Sequence, residues 1–153
     1  MQIRAHIDRW RTPGGHLRSM TVSDLGYIGA YGESMGVIAP IQEMMLQSWD
    51  GSIQVFPSWD AATNGEFKTL RAEGAFLVSC AFRDGHVRPV SIISEAGQPC
   101  RLKNPWNSDV IVIDGSGEGV DCVVADGYVQ FDTVAGQRYE VAAEDAAYAF
   151  PIV

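Results

Sequence analysis

The chain has 153 residues, enough for one domain with a continuous core. Its 46% hydrophobic and 20% charged content is typical of a folded globular domain and excludes intrinsic disorder. A formal net charge of −8 argues against nucleic acid and anionic membrane surfaces as partners, and no apolar run reaches the roughly 18 residues of a spanning helix. A neutral sugar or another protein surface is compatible with this charge.

Residues 1–49 are predicted to be helix and loop. Apolar side chains at Ile38, Ile41 and Met45 recur at three- and four-residue steps, which predicts a helix over residues 37–48. Pro40 falls near its first turn, where a missing N–H does no harm. The first ten residues are charged and lack an apolar signal core, so a secreted or periplasmic parent would carry its signal upstream.

The remainder of the chain is predicted to be mainly β, an antiparallel β-sandwich over residues 50–153. Four Asp-Gly pairs favour tight turns because both residues tolerate positive φ angles; they begin at Asp50, Asp84, Asp114 and Asp126. Nine short strand-like runs lie between or beside them, as is typical of a sandwich or barrel. These runs are residues 52–56, 67–71, 75–82, 87–94, 100–103, 110–113, 120–124, 128–132 and 138–142.

Neither a metal site nor a cofactor is predicted. No His has ligand spacing to another His or to a Cys. The Gly-rich run over residues 115–119 lacks the Lys and the following helix that a phosphate loop needs. Cys80, Cys100 and Cys122 are widely spaced and fit buried thiols, although a Cys100–Cys122 bridge in an oxidising compartment remains an alternative.

Four residues are candidates for sugar chemistry. Glu33 is a weak candidate for a catalytic carboxylate, because an acid in a loop before a helix more often caps its N–H groups. Trp49, Trp59 and Trp106 lie at loop or strand junctions, where an indole ring can stack on a sugar face. The alternative for each Trp is packing against the core or an interface.

Three motifs occur in order along the chain. The first is Glu43-Met44-Met45-Leu46-Gln47-Ser48-Trp49-Asp50-Gly51, preceded by Gly36. The second is Leu70-Arg71-Ala72-Glu73-Gly74-Ala75-Phe76, and the third is Cys100-Arg101-Leu102-Lys103-Asn104-Pro105-Trp106. Together they resemble the end of the catalytic domain and the start of the C-terminal domain in glycoside hydrolase family 95, which includes α-L-fucosidases.

This resemblance implies a helical (α/α)6 barrel upstream, of which residues 1–49 are the last part, followed by the sandwich. In the family, catalysis lies in the barrel, and the general base is an Asp just before the last helix. That position falls on Gly32 here, with Ser34 at a neighbouring Asn position, Gly36 at the matching Gly, and Glu33 one residue away from the base. The base carboxylate is therefore absent from its place.

The implied function is a non-catalytic accessory sandwich that packs on the barrel in carbohydrate degradation and is inactive alone. The alternative is a free-standing carbohydrate-binding module. The partners to expect are the upstream barrel and a glycan. A second copy of the chain is a further candidate, paired through the apolar stripe of the helix.

Overall fold

The computed structural model describes residues 36–145, which form mainly antiparallel β-structure. The chain divides into two compact units, residues 1–43 and 44–153, and every described strand belongs to the second. The elements in chain order are α1 (Ile38–Met45), β1 (Leu46–Gln47), β2 (Gln54–Val55), β3 (Gly65–Ala72), β4 (Phe76–Arg83), β5 (His86–Val87), β6 (Val90–Ser94), β7 (Cys100–Lys103), β8 (Val110–Asp114), β9 (Val123–Ala125), β10 (Tyr128–Phe131) and β11 (Arg138–Ala143).

Two antiparallel layers make the sandwich. The larger sheet has the order β3-β4-β6-β11-β8, with β5 also paired to β4. The smaller layer has the order β7-β10-β9, and the β1–β2 ribbon joins it through Ile53. The Ile53 N–H donates to the Arg101 carbonyl at 2.8 Å, and the Lys103 N–H donates to the Ile53 carbonyl at 2.8 Å.

The core lies between the two layers. Side chains alternate along β4, so that every second one is buried between the sheets. Removing these apolar side chains from water is the main favourable contribution to the stability of the fold. The largest fully buried apolar side chains come from both sheets: Ile92, Leu102, Val78, Val90, Val129 and Val141. The predicted antiparallel sandwich is confirmed.

The four Asp-Gly turns use two mechanisms. Asp84-Gly85 and Asp126-Gly127 have positive φ at both residues and make the two-residue hairpins β4–β5 and β9–β10. Asp50 and Asp114 instead accept hydrogen bonds on their carboxylates from the backbone N–H and the hydroxyl of the serine two residues on.

Three predicted elements differ most from the structure. The helix ends at Met45, not at residue 48, because Leu46 is buried in the core and begins strand β1, while the Phe56 N–H donates to the Met45 carbonyl at 2.7 Å. The run over residues 87–94 is interrupted at Pro89, which separates β5 from β6. The run over residues 120–124 contributes a strand only from Val123.

The three cysteines are free thiols, so Cys100 and Cys122 are not bonded to each other. Burial raises the pKa of Cys80 and of Cys100 to about 12, which keeps both protonated and unreactive. Cys122 is only partly buried. Among residues 36–145, no helix is long and apolar enough to cross a membrane.

Candidate functional site

Trp59 is fixed by a hydrogen bond from its indole N–H and by packing of its ring. The indole N–H donates to the Thr63 carbonyl at 2.7 Å, and the ring meets Phe56 edge-on at 5.6 Å between centroids. Asp60 caps the intervening turn by accepting from the Ala62 N–H and the Thr63 hydroxyl. The structure therefore places Trp59 as an anchor that packs against the core beside the start of β3.

Trp106 is a second anchor, at the loop between β7 and β8. Its indole N–H donates to the Val87 carbonyl at 2.9 Å, and its backbone N–H donates to Asn104 Oδ1 at 3.0 Å. The indole bond ties the loop to strand β5, the Asn104 bond closes the loop on itself, and the ring packs partly against the core.

A wide cleft of about 1340 Å³ opens beside Trp106. Its lining carries charges of both signs: Arg88, Lys103 and Arg138 are positive, and Asp114, Glu140 and Asp145 are negative. Arg88 is already paired with Asp84 at 3.3 Å, and the Lys103 ammonium donates to Gln54 at 3.4 Å. The cleft therefore presents no strong net charge toward a ligand.

Trp49 differs from the other two tryptophans because its side chain is 70% exposed. It sits inside a β-turn in which the Gly51 N–H donates to the Ser48 carbonyl at 3.1 Å. Asp50, next to it, accepts from the Ser52 hydroxyl at 2.7 Å, and the Ser52 bonds hold the pKa of Asp50 below its usual range. The Ser48 hydroxyl also accepts from the Glu73 N–H at 2.9 Å, so the turn is fastened while the indole is left in water.

A small depression of about 310 Å³ lies next to this turn. Ser48 and Gly51 line it together with Glu73, Gln98 and Arg101. The Arg101 guanidinium lies over the Tyr128 ring, 3.6 Å from the ring centroid, and this contact restricts its position. The depression thus borders the turn that carries Trp49, through Ser48 and Gly51, and its polar groups were not singled out in the sequence.

The outer face of the larger sheet carries several aliphatic side chains although it points away from the core, and Arg138 and Glu140 of β11 lie between those of β6 and β8. Leu77 and Ile93 are register partners on β4 and β6, and both are half-buried. Ile111 and Ile113 occupy the same face of β8, and Ala142 of β11 is the register partner of Ile111. Only the run of four aliphatic residues in β8 signalled this surface in the sequence, by predicting cover on both faces.

The remaining candidates from the sequence concern catalysis and metal binding. Glu33 lies outside the described residues. Within residues 36–145, no group of three or more His, Cys, Asp or Glu side chains is arranged to hold a metal ion.

Two antiparallel layers around one core define the described part of the chain as a β-sandwich domain. The sequence profile of the glycoside hydrolase family 95 C-terminal domain matches residues 47–141. Because that match covers more than half of the chain, the protein belongs to this family. The match confirms the resemblance carried by the three motifs. A comparison with curated protein sequences found no match.

Proposed function

We propose that this chain is the accessory sandwich of a family 95-like glycoside hydrolase, which packs on an upstream helical barrel and has no catalytic role. The observation that carries the proposal is the set of half-buried aliphatic side chains on the outer face of the larger sheet: Leu77, Ile93, Ile111 and Ile113. The process served is the degradation of carbohydrate by the barrel.

Where an antiparallel sheet has one face on the core and the other toward solvent, the solvent-facing side chains are normally polar. Here β8 carries aliphatic residues on both faces, and the outer face of β6 carries Ile93 beside Ser91. Each large aliphatic side chain contributes roughly 1.5–3 kcal/mol when it passes from full exposure to full burial, so completing the burial of four of them would stabilise a docked layer. Aliphatic side chains left outside the core favour a protein interface, and Arg138 and Glu140 between the two groups would meet polar residues of the partner.

The occupant that fits this face is the helical barrel of the same polypeptide. The family is described as a C-terminal domain, and a C-terminal domain follows another domain in its polypeptide. The resemblance assigns residues 1–49 to the end of that barrel and residues 50–153 to the sandwich, with helix α1 directly before β1. Catalysis then belongs to the barrel, consistent with Gly32 at the position of the family's base, and Glu33 keeps at most a minor role.

The test uses the 153-residue chain and the helical domain encoded upstream of Met1 in the same reading frame. We expect Ile93→Asp and Ile113→Asp to weaken their association about tenfold or more, because each buries a charge in an apolar interface. Val123→Asp is the matched control, since Val123 is an exposed aliphatic residue on the smaller sheet. Equal binding by all three variants, or a reading frame without a helical barrel, would contradict the proposal.

Catalysis by the chain alone is tested with a panel of aryl glycosides, for which we expect no hydrolysis. Robust hydrolysis that Glu33→Gln abolishes would show that the chain is an enzyme in its own right.

A further inference from the structure

We infer that the turn carrying Trp49 and the adjacent depression form a binding site for a neutral pyranose sugar. The site lies where the β1–β2 and β3–β4 turns meet the loop between β6 and β7, and none of the outer-face residues Leu77, Ile93, Ile111 and Ile113 lines it. It goes beyond the proposed docking function, because a sugar could bind there whether or not the barrel is present.

The exposure of Trp49 is the first argument. Leaving an indole in water forgoes the burial that Trp59 and Trp106 obtain, and those two also satisfy their N–H groups on backbone carbonyls. Among residues 36–145, Trp49 finds neither burial nor a partner for its N–H, yet the turn around it is fixed by the Gly51–Ser48 and Glu73–Ser48 hydrogen bonds. A flat aromatic ring on a rigid support is the surface that stacks on the C–H face of a pyranose.

The polar groups of the depression are the second argument. The side chains of Glu73 and Gln98 accept no hydrogen bond from, and donate none to, any residue in the described range. Arg101 also keeps all its N–H donors available, because its only described side-chain partner is the face of Tyr128. Sugar hydroxyls both donate and accept, so a carboxylate, an amide and a guanidinium together can satisfy a set of adjacent hydroxyls.

Charge and size select the class of ligand. Glu73 and Arg101 cancel in charge, which favours a neutral sugar over a uronate or a sulfated one. The volume of about 310 Å³ is near the small end of the range for ligand pockets, room for about one sugar ring. A protein partner would need a contact of about 800 Å² on each side, which a small polar depression does not offer.

The site is tested by recording amide spectra of the ¹⁵N-labelled 153-residue chain during titration. The probes are methyl β-D-glucopyranoside, methyl β-D-galactopyranoside, methyl β-D-xylopyranoside and methyl α-L-fucopyranoside. We expect at least one probe to shift amides in residues 48–51, 73–74 and 98–101, with a millimolar Kd. Trp49→Ala should weaken this binding about five- to tenfold, whereas Trp49→Phe, which keeps a flat ring, should retain most of it.

Two control variants show whether sugar binding depends on Trp49 in particular. Val123→Ala removes part of another exposed apolar side chain and should leave the sugar Kd unchanged. Ile93→Asp, which tests docking of the barrel, should also leave it unchanged, so the two proposals can fail independently. The inference is overturned if no probe shifts those amides, if the shifts fall around Trp106 instead, or if Trp49→Ala binds sugar normally but loses affinity for the barrel.

Discussion

Gly65 leaves no room for a side chain beside Trp59. A Cβ at this position would lie 2.6 Å from Cζ2 of the indole, which its bond to Thr63 and its contact with Phe56 keep in place. We therefore expect Gly65→Ala to lower the free energy of unfolding by about 1–3 kcal/mol, measured by urea denaturation. Gly119→Ala is the control, because nothing lies within 4 Å of a Cβ there. Equal losses in both variants would show that the indole moves aside.

Asp114 makes the stability of a surface turn depend on pH. Its Oδ1 accepts from the Ser116 hydroxyl at 2.6 Å, the Ser116 N–H at 2.8 Å and the Glu118 N–H at 3.1 Å, and these bonds lower its pKa from 3.8. A carboxyl whose pKa is lowered by folding stabilises the fold above its unfolded pKa, and this contribution is lost as the pH falls through the folded value.

We therefore expect Asp114→Asn to lower the Tm at neutral pH, and we expect the deficit to shrink as the pH falls below the ordinary Asp range and protonates the folded carboxylate. Thermal unfolding followed by circular dichroism at several pH values measures this. Asp132→Asn is the control, since no described residue donates a hydrogen bond to that carboxylate, and its effect should not vary in the same way. A deficit for Asp114→Asn that is constant with pH would assign the effect to shape rather than charge.

At the scale of the element, strand β6 shows how adjacent residues serve different surfaces. Ile92 is 0% exposed between the sheets, whereas Ile93 is half-buried on the outer face. We expect Ile92→Ala to cost about 2–5 kcal/mol in the free energy of unfolding of the isolated chain, and Ile93→Ala to cost less than half as much. Chemical denaturation of both variants gives the comparison. A cost for Ile93→Ala equal to that for Ile92→Ala would mean that the outer face is already fully covered in this chain.

Local patterns predicted most strands, because period-two alternation and Asp-Gly turns are encoded within a few residues. The end of helix α1 was not predictable in this way. Met44, Met45 and Leu46 continue a helical pattern, and only pairing with Val55 of β2 pulls Leu46 into a strand. Tertiary pairing overrides local propensity at this point.

The roles of the three tryptophans likewise could not be predicted from the local sequence. In the sequence, Trp49, Trp59 and Trp106 all look like aromatic residues at loop junctions. What separates them is whether a backbone carbonyl lies within reach of the indole N–H. For Trp106 that carbonyl belongs to Val87, 19 residues away, and no spacing rule could have indicated it.

At the scale of the whole molecule, helix α1 has no buried residue, and Ile38 is 61% exposed. Met45, at the end of the helix, packs against the sandwich core. An isologous pairing of two copies is the commonest way to cover an apolar helix face.

We therefore predict that the isolated chain forms dimers of twice 16.6 kDa at micromolar concentration, measured by light scattering. Ile38→Asp should shift the population to monomers without changing the fold, because that side chain is exposed within one chain. Lys68→Asp, a charge change at an exposed position on β3, should leave the mass unchanged. A wild-type chain that is monomeric throughout the concentration range would refute the prediction.

The placement of the free thiols makes the opening of each layer separately measurable. Cys80 lies on β4 of the larger sheet and Cys100 on β7 of the smaller one. A pKa of about 12 in place of 9.0 leaves each with about a thousandfold less thiolate, so an alkylating reagent can modify either residue only when its strand is exposed. Cys122, partly exposed, should react first. Equal labelling rates at Cys80 and Cys100 would mean that the sandwich opens as one cooperative unit, and unequal rates that one sheet detaches while the other stays folded.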